Sequence, residues 1–211
     1  MPKSFEQIKK EMIRGLRSKR RRTKEPVIIA TIGLTGAGNS TLAKTLNKML
    51  GWVVLEKNKI RVKLREEGRG FDPATTDQIH YAMLAKILKG GENAILDSDF
   101  AEKGKRKKLE RFAKRFKARI AYLHLVCDHD VMLGRMMRSN YNSKTDIFKN
   151  AAIAMREHAR RIPWHYRWSP VNGGSYFPLK LPIKFFAEIN TTDPDKWKKK
   201  LRLVAKRLQK M

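Results

Sequence analysis

Apolar positions along the chain keep two rhythms. Nearly continuous apolar runs at 27–32, 52–55, 94–96, 120–126 and 184–189 are each short enough for one strand. Between them, apolar residues return every three or four positions: Leu42, Leu46 and Leu50; Ile79, Met83 and Ile87; Leu109, Phe112 and Phe116; Trp197, Leu201, Val204 and Leu208. That spacing puts each set on one helical stripe. Strands apolar on both faces, alternating with helices, predict a parallel sheet covered on two sides. The expectation is α/β: a three-layer sandwich with a mainly parallel five-stranded sheet and helices on both faces.

Local signals place the ends. Ser4 can cap a first amphipathic helix carrying Phe5, Ile8, Met12, Ile13 and Leu16, which runs into Arg17, Lys19, Arg20, Arg21, Arg22 and Lys24 before Pro26. This predicts a basic arm or strapped-on helix over 1–26, ahead of a main domain over 27–211. Asp72-Pro73 opens a helix that Gly90-Gly91 closes, and Asp128 or Asp130 can cap a helix with Val131, Met132, Arg135 and Arg138. A further helix is expected over 146–160. The segment 162–182 has no clear period and mixes Trp164, His165, Tyr166, Arg167, Trp168, Tyr176 and Phe177 with prolines and Gly173-Gly174. It is expected as a long loop, a common place for function.

Composition changes the picture in one respect. Lys and Arg number 48 against 20 Asp and Glu, a formal charge of +28 in 211 residues. A polyanionic partner such as RNA or DNA is expected along 17–24 and 103–119, where clustered cations gain affinity by releasing counterions. In the basic helix at 102–117, Lys105, Arg106, Lys108, Arg111 and Arg115 are expected to point away from the core. The lone cysteine, Cys127, closes an apolar run and is expected in the core. No apolar run is long enough to cross a bilayer, and the start lacks a secretory core, so a cytoplasmic setting is expected. The five histidines show no metal-ligand spacing, and His124, within a strand, is expected as a core or interface residue.

The chemistry sits after the first strand. Gly33-Leu34-Thr35-Gly36-Ala37-Gly38-Asn39-Ser40-Thr41 lies between a buried strand and a helix, which is the context of a phosphate-binding loop. The glycines let backbone N–H groups turn inward, and the helix adds its positive end. Ser40 stands where a hydroxyl would hold Mg2+. The motif asks for lysine at the position of Asn39, where an ammonium would neutralise charge on the β- and γ-phosphates. Asparagine can donate hydrogen bonds but supplies no charge. Three explanations remain open: a natural pseudoenzyme, an enzyme in which another cation substitutes, and an altered site.

These residues resemble the small P-loop kinases that include polynucleotide 5′-kinases and zeta-toxin-like kinases, AAA-type ATP-binding proteins, over roughly 27–190. The resemblance implies ATP and Mg2+ as cofactors. It also implies an acceptor motif after the second strand, an acidic strand end, and an arginine-bearing lid near 128–160. In the acceptor motif, Asn58 falls where the resemblance implies an aspartate base, and an amide cannot take that proton; Glu56 precedes it, and Arg61 matches the motif's arginine. Asp97, preferred over Asp99, matches the metal-orienting acid, with a helix cap as its bland alternative. Arg135 and Arg138 match the lid arginines. Two functions are carried forward: an ATP-dependent phosphotransferase acting on a hydroxyl of a nucleotide or nucleic acid, and a catalytically impaired module that binds nucleotide and RNA. A P-loop hydrolase or toxin-like kinase on a small sugar nucleotide is a third, for which so much positive charge is unnecessary.

Overall fold

Val27 to Ile32 form the central strand because side chains alternate between two apolar layers. Val27 and Ile29 enter one layer, Ile28, Ala30 and Ile32 the other, and all are fully buried. A computed structural model describes residues 2–16, 23–70, 72–171 and 174–211. Residues 17–22 of the expected basic arm, and Gly173, lie outside the described residues.

The main sheet has strands β1 (Val27–Ile32), β2 (Val53–Glu56), β3 (Ala94–Asp97), β4 (Arg119–Val126) and β7 (Ala187–Asn190), in the order β2-β3-β1-β4-β7. Every neighbouring pair in it is parallel, so all five strands end on the same edge. Helices α2 (Asn39–Leu50) and α8 (Lys196–Leu208) cover one face through Leu42, Leu46, Leu50, Trp197, Leu201 and Leu208. The other face is covered by α3 (Lys57–Glu66), α4 (Pro73–Lys89) and α5 (Lys103–Arg115), with Ile60, Leu64, Ile79, Met83 and Leu109 buried. Helix α6 (His129–Arg138) follows β4, and α7 (Ala151–Arg161) packs against it. These strands and layers are the architecture expected from the apolar rhythm, and among the described residues no helix is long and apolar enough to cross a membrane.

Cap chemistry sets several boundaries. In α1 (Phe5–Arg14), Ser4 and Gln7 form a reciprocal capping box; the helix packs on α3 and α4, with Ile8 fully buried. Asp72 accepts from the amides of Ala74 and Thr75 at 3.1 and 2.7 Å, and Pro73 occupies the first turn of α4. Asp128 caps α6.

Two expectations need correction. Arg106 turns into the core side of α5 and is 6% exposed, because its guanidinium donates to the carbonyls of Phe100 (3.0 Å) and Ala101 as the chain enters the helix. The segment 162–182 is more ordered than a loop. A single 3-10 turn at Ile162–Trp164 leads into an antiparallel hairpin of β5 (Tyr166–Ser169) and β6 (Ser175–Pro178), with Arg167 opposite Phe177 and Trp168 opposite Tyr176. Gly174 has φ 84°, and the Trp168 ring covers it so closely that a Cβ there would lie 2.3 Å from the indole.

Candidate phosphate-binding site

Six residues join the end of β1 to the start of α2, and two of them need left-handed backbone: Gly36 at φ 90° and Gly38 at φ 94°. That conformation costs any side chain about 1–2 kcal/mol, so glycine is the natural occupant. Gly38 is also the N-cap of α2, so the loop runs into the helix's exposed amides. Leu34 and Ala37 are buried and anchor the turn, and the Ala37 amide donates to the Leu34 carbonyl at 3.0 Å. Thr35 and Gly38 are half-buried, Ser40 and Thr41 exposed.

The carbonyls of this loop are held from behind by distant side chains. Thr191 Oγ1 donates to the Ala37 carbonyl at 2.7 Å. Arg135 donates to the carbonyls of Thr191 at 2.6 Å and Gly36 at 3.4 Å, and lies 3.3 Å from Cys127 Sγ. His158 Nδ1 lies 2.7 Å from the Thr35 carbonyl. A carbonyl only accepts, so Nδ1 carries the proton. His158 Nε2 is then free to accept from His129 Nε2, 3.0 Å away. Burial lowers the pKa of both histidines, in keeping with this neutral chain. With the carbonyls of Thr35, Gly36 and Ala37 occupied behind, the loop's amides other than that of Ala37 are left for the front.

Asn39 closes the loop internally. Its Nδ2 donates to the Gly33 carbonyl at 2.8 Å and lies 3.4 Å from that of Leu34, while Oδ1 is buried with no hydrogen-bond partner among the described residues. A Cβ at Gly33 would meet this Oδ1 at 2.6 Å. The amide thus folds back onto its own loop and brings no positive charge to the cradle.

Beside the loop, Asp97 ends β3 directly opposite Glu56, the last residue of β2. The Ser40 hydroxyl lies close enough to the Asp97 carboxylate to lower its pKa. Burial pushes the Asp97 carboxyl up, the nearby Ser40 hydroxyl opposes this, and the negative charge of Glu56 adds to the rise. A half-buried carboxylate, a second carboxylate and a hydroxyl at one strand edge form a hard-oxygen donor set suited to Mg2+. Asp97 does not cap the basic helix: α5 begins at Lys103 with Glu102 as its N-cap.

A second cluster of paired charges is organised by α3, α7 and the residues after β3. Asn58 is exposed, and its Oδ1 accepts from Arg61 at 3.1 Å. Burial lowers the Arg61 pKa, and the charge of Arg161 adds to this. Arg161 is paired with Asp99 Oδ2, which His165 Nε2 also meets at 3.0 Å; Asp99 Oδ1 accepts from the Ala101 amide at 3.0 Å. Burial would raise the Asp99 pKa, but His165 and Arg161 outweigh it and hold it below the ordinary value. Lys57 and Lys108 share Asp77, the latter at 2.7 Å.

The structure therefore brings Ser40 and Asp97 together and ties Asn58 to Arg61. Arg135 reaches the back of the loop, where it braces carbonyls. Arg138 is exposed and lies against Gly134 of its own helix. The sequence analysis missed His158, Thr191, Arg161 and His165, whose partners lie 56 to 154 positions away. It ranked Asp99 behind Asp97, although Asp99 lies only two positions beyond the end of the same strand.

The family model described as an AAA domain matches residues 28–162. No curated protein matches the sequence. Among solved structures, the chain is similar to a candidate kinase of Chloroflexus aurantiacus J-10-fl, at 19% identity and TM-score 0.61, covering 89% of this chain and 100% of that one. It is similar to the Mycobacterium tuberculosis APS kinase CysC, at 13% identity and TM-score 0.55, covering 87% and 99%. The PezAT toxin–antitoxin structure of Streptococcus pneumoniae gives 14% identity and TM-score 0.52, covering 64% and 61%. These likenesses concern the fold, a five-stranded parallel sheet flanked by helices around a P-loop.

Proposed function

The chain belongs to the AAA domain family, and from that premise we propose that it is a P-loop phosphotransferase, binding ATP with Mg2+ and phosphorylating a hydroxyl of a nucleotide or nucleic acid. The observation that carries this reading is the closeness of the Ser40 hydroxyl and the Asp97 carboxylate beside a glycine cradle whose carbonyls at Thr35, Gly36 and Ala37 are braced by distant side chains. In support, the APS kinase of like fold was solved in complex with AMPPNP and APS. A bound Mg2+ would draw charge from the phosphoryl oxygens, and Ser40 and Asp97 are the residues to hold it.

Backbone amides of 36 and 38–41 would cradle the phosphates, and Arg61 and Arg161 would attract an anionic acceptor. The acceptor oxygen forms its bond to the γ-phosphorus as the β–γ bridging bond breaks, and its proton must leave to a base. Asn58 cannot take it. Glu56 is the carboxylate of the same segment, at the strand edge beside Asp97.

A second reading rests on a specific pair of contacts. Asn39 is bonded to its loop's carbonyls and Asn58 to Arg61, so the positions of the expected ammonium and base are both filled by neutral amides. This favours a module that holds nucleotide without transferring phosphate. Losing a charge-assisted contact to the transition state costs several kcal/mol of barrier, or orders of magnitude in rate, while backbone donors still bind.

Calorimetric titration with ATP and Mg2+, followed by labelled-phosphate transfer to 5′-hydroxyl oligonucleotides and nucleotides, separates the two. It is run on the natural chain and on Asn39→Lys. Binding without transfer in both chains overturns the enzyme reading. Transfer restored by Asn39→Lys shows that the remaining machinery is competent. Absence of ATP binding in both overturns both readings.

A further inference from the structure

Aromatic residues of the β5–β6 hairpin divide into two groups. Tyr166 is buried, with its hydroxyl donating to the Cys127 carbonyl at 2.9 Å and accepting from the Cys127 amide at 3.0 Å. Tyr176 packs on His129, with ring centroids 4.4 Å apart. These two pin the hairpin to the domain. Trp168 and Phe177 are each 53% exposed and Trp164 is 37% exposed, so anchoring does not account for them. Large exposed aromatics on a braced ribbon mark a contact surface.

Along the sequence the charge around them has one sign, while in the fold the Arg160 guanidinium is paired with Glu157, one turn earlier in α7, at 2.8 Å. From His158 to Ala187 the chain has five Lys or Arg residues and no Asp or Glu. Arg167 stands opposite Phe177 on the ladder, and the Arg160 guanidinium lies 5.6 Å from the Trp164 ring. Lys180 is exposed just beyond the hairpin. The same segment leads to the acceptor side, because Arg161 and His165 both bind Asp99.

We propose that the hairpin and its approach, Trp164, Trp168 and Phe177 with Arg160, Arg167 and Lys180, form a docking track for single-stranded nucleic acid leading toward the acceptor side. Exposed rings offer faces to unpaired bases, and the cations meet the phosphodiester backbone. A duplex keeps its bases stacked on one another and cannot use the rings. A membrane is the poorer match. The exposed aromatics sit on opposite faces of the ribbon, since the Arg167–Phe177 pair and the Trp168–Tyr176 pair alternate; a flexible strand can meet both by passing round the edge of a two-stranded ribbon, whereas insertion needs them together on one face. The direction of the track rests on the phosphotransferase reading; strand binding itself does not.

Fluorescence anisotropy of the full chain with labelled dodecamers of oligo(dT) and oligo(U) tests this. Trp168→Ala and Phe177→Ala are each expected to weaken binding about 5- to 150-fold, the effect of losing one stacked base. The exposed Leu203 of α8 serves as control, and Leu203→Ala is expected to bind as the natural chain does. Trp168→Tyr keeps a ring and should stay within a few-fold of the natural chain, which separates stacking from misfolding. Affinity should fall steeply with salt, and a duplex of equal length should bind far more weakly.

Unchanged affinity in both alanine variants, equal binding of duplex, or binding to anionic vesicles in place of either oligonucleotide overturns the proposal. So does a Trp168→Tyr variant that folds but fails to bind. ATP titration of the same proteins keeps the questions apart. Oligonucleotide binding without ATP binding removes the phosphotransferase reading and leaves strand docking standing; the reverse result removes the docking track alone.

Discussion

Two glycines of the loop share a backbone conformation but differ in surroundings, which makes a quantitative test. Replacing Gly38 by alanine puts a methyl where no other atom lies within 4 Å, so the cost is the left-handed backbone alone, about 1–2 kcal/mol. At Gly36 the same backbone cost applies, but the new Cβ would lie 3.0 Å from both Met132 Cβ and the Met132 carbonyl oxygen. Met132 is fully buried in α6, and a helix carbonyl cannot swing aside like a side-chain end. Overpacking of this kind adds about 1–3 kcal/mol, giving about 2–5 kcal/mol in all. In a chain of this size each kcal/mol lowers Tm by about 2–4 °C. Urea unfolding followed by fluorescence reads the difference, since Trp52 and Trp197 are buried in the same apolar layer as Met132. Gly36→Ala should also displace α6 and with it Arg135, so nucleotide binding should weaken more than in Gly38→Ala. Equal destabilisation of the two variants would refute the packing argument. A near-neutral Gly36→Ala would refute the loop geometry itself.

Asp97 has its pKa raised by burial, so the fold favours its protonated form. Its stabilising contribution is fully present below the unfolded value of 3.8 and is lost as pH rises through the folded pKa. Asp97→Asn should therefore raise Tm at neutral pH while weakening the Mg2+ dependence of nucleotide binding; a lower Tm at pH 7 would contradict this. His80 behaves oppositely: burial lowers its pKa to about 3, and its Nε2 has no hydrogen-bond partner among the described residues. Its contribution is present above the unfolded value of 6.5 and is lost as pH falls toward about 3. The natural chain should lose roughly 1.4 kcal/mol per pH unit relative to His80→Leu across that interval, measured as the difference between paired urea titrations. Parallel stability–pH curves would show that His80 is not buried neutral.

Much of the frame was legible because its signals are local. Continuous apolar runs marked the strands, since a parallel strand buried on both faces has no polar side to show. Ser4 and Asp72 announced helix starts through short-range bonds. The cradle was legible because its glycines answer a backbone requirement that the sequence states directly. The bracing of that cradle was not. Arg135, His158 and Thr191 reach the loop across 99, 123 and 154 positions, and nothing in the spacing of a helical arginine reveals which way it points. Arg106 shows the same gap, since carbonyls at the entry to α5 drew inward a cation that helical periodicity would leave in solvent. The β5–β6 hairpin was hidden by its composition, since its strands, no shorter than β2 and β3, are aromatic and polar with no apolar run or alternation.

The bracing of the loop also has a genetic consequence. Because Thr191, Arg135 and His158 hold the carbonyls from outside, much of the scaffold around the cradle does not depend on the side chain at position 39. Asparagine and lysine codons share their first two letters and differ only in the third. A single base change therefore exchanges a neutral cradle for a charged one, with the surrounding supports already in place. On this scaffold, gaining or losing the ammonium is a single mutational step rather than a redesign.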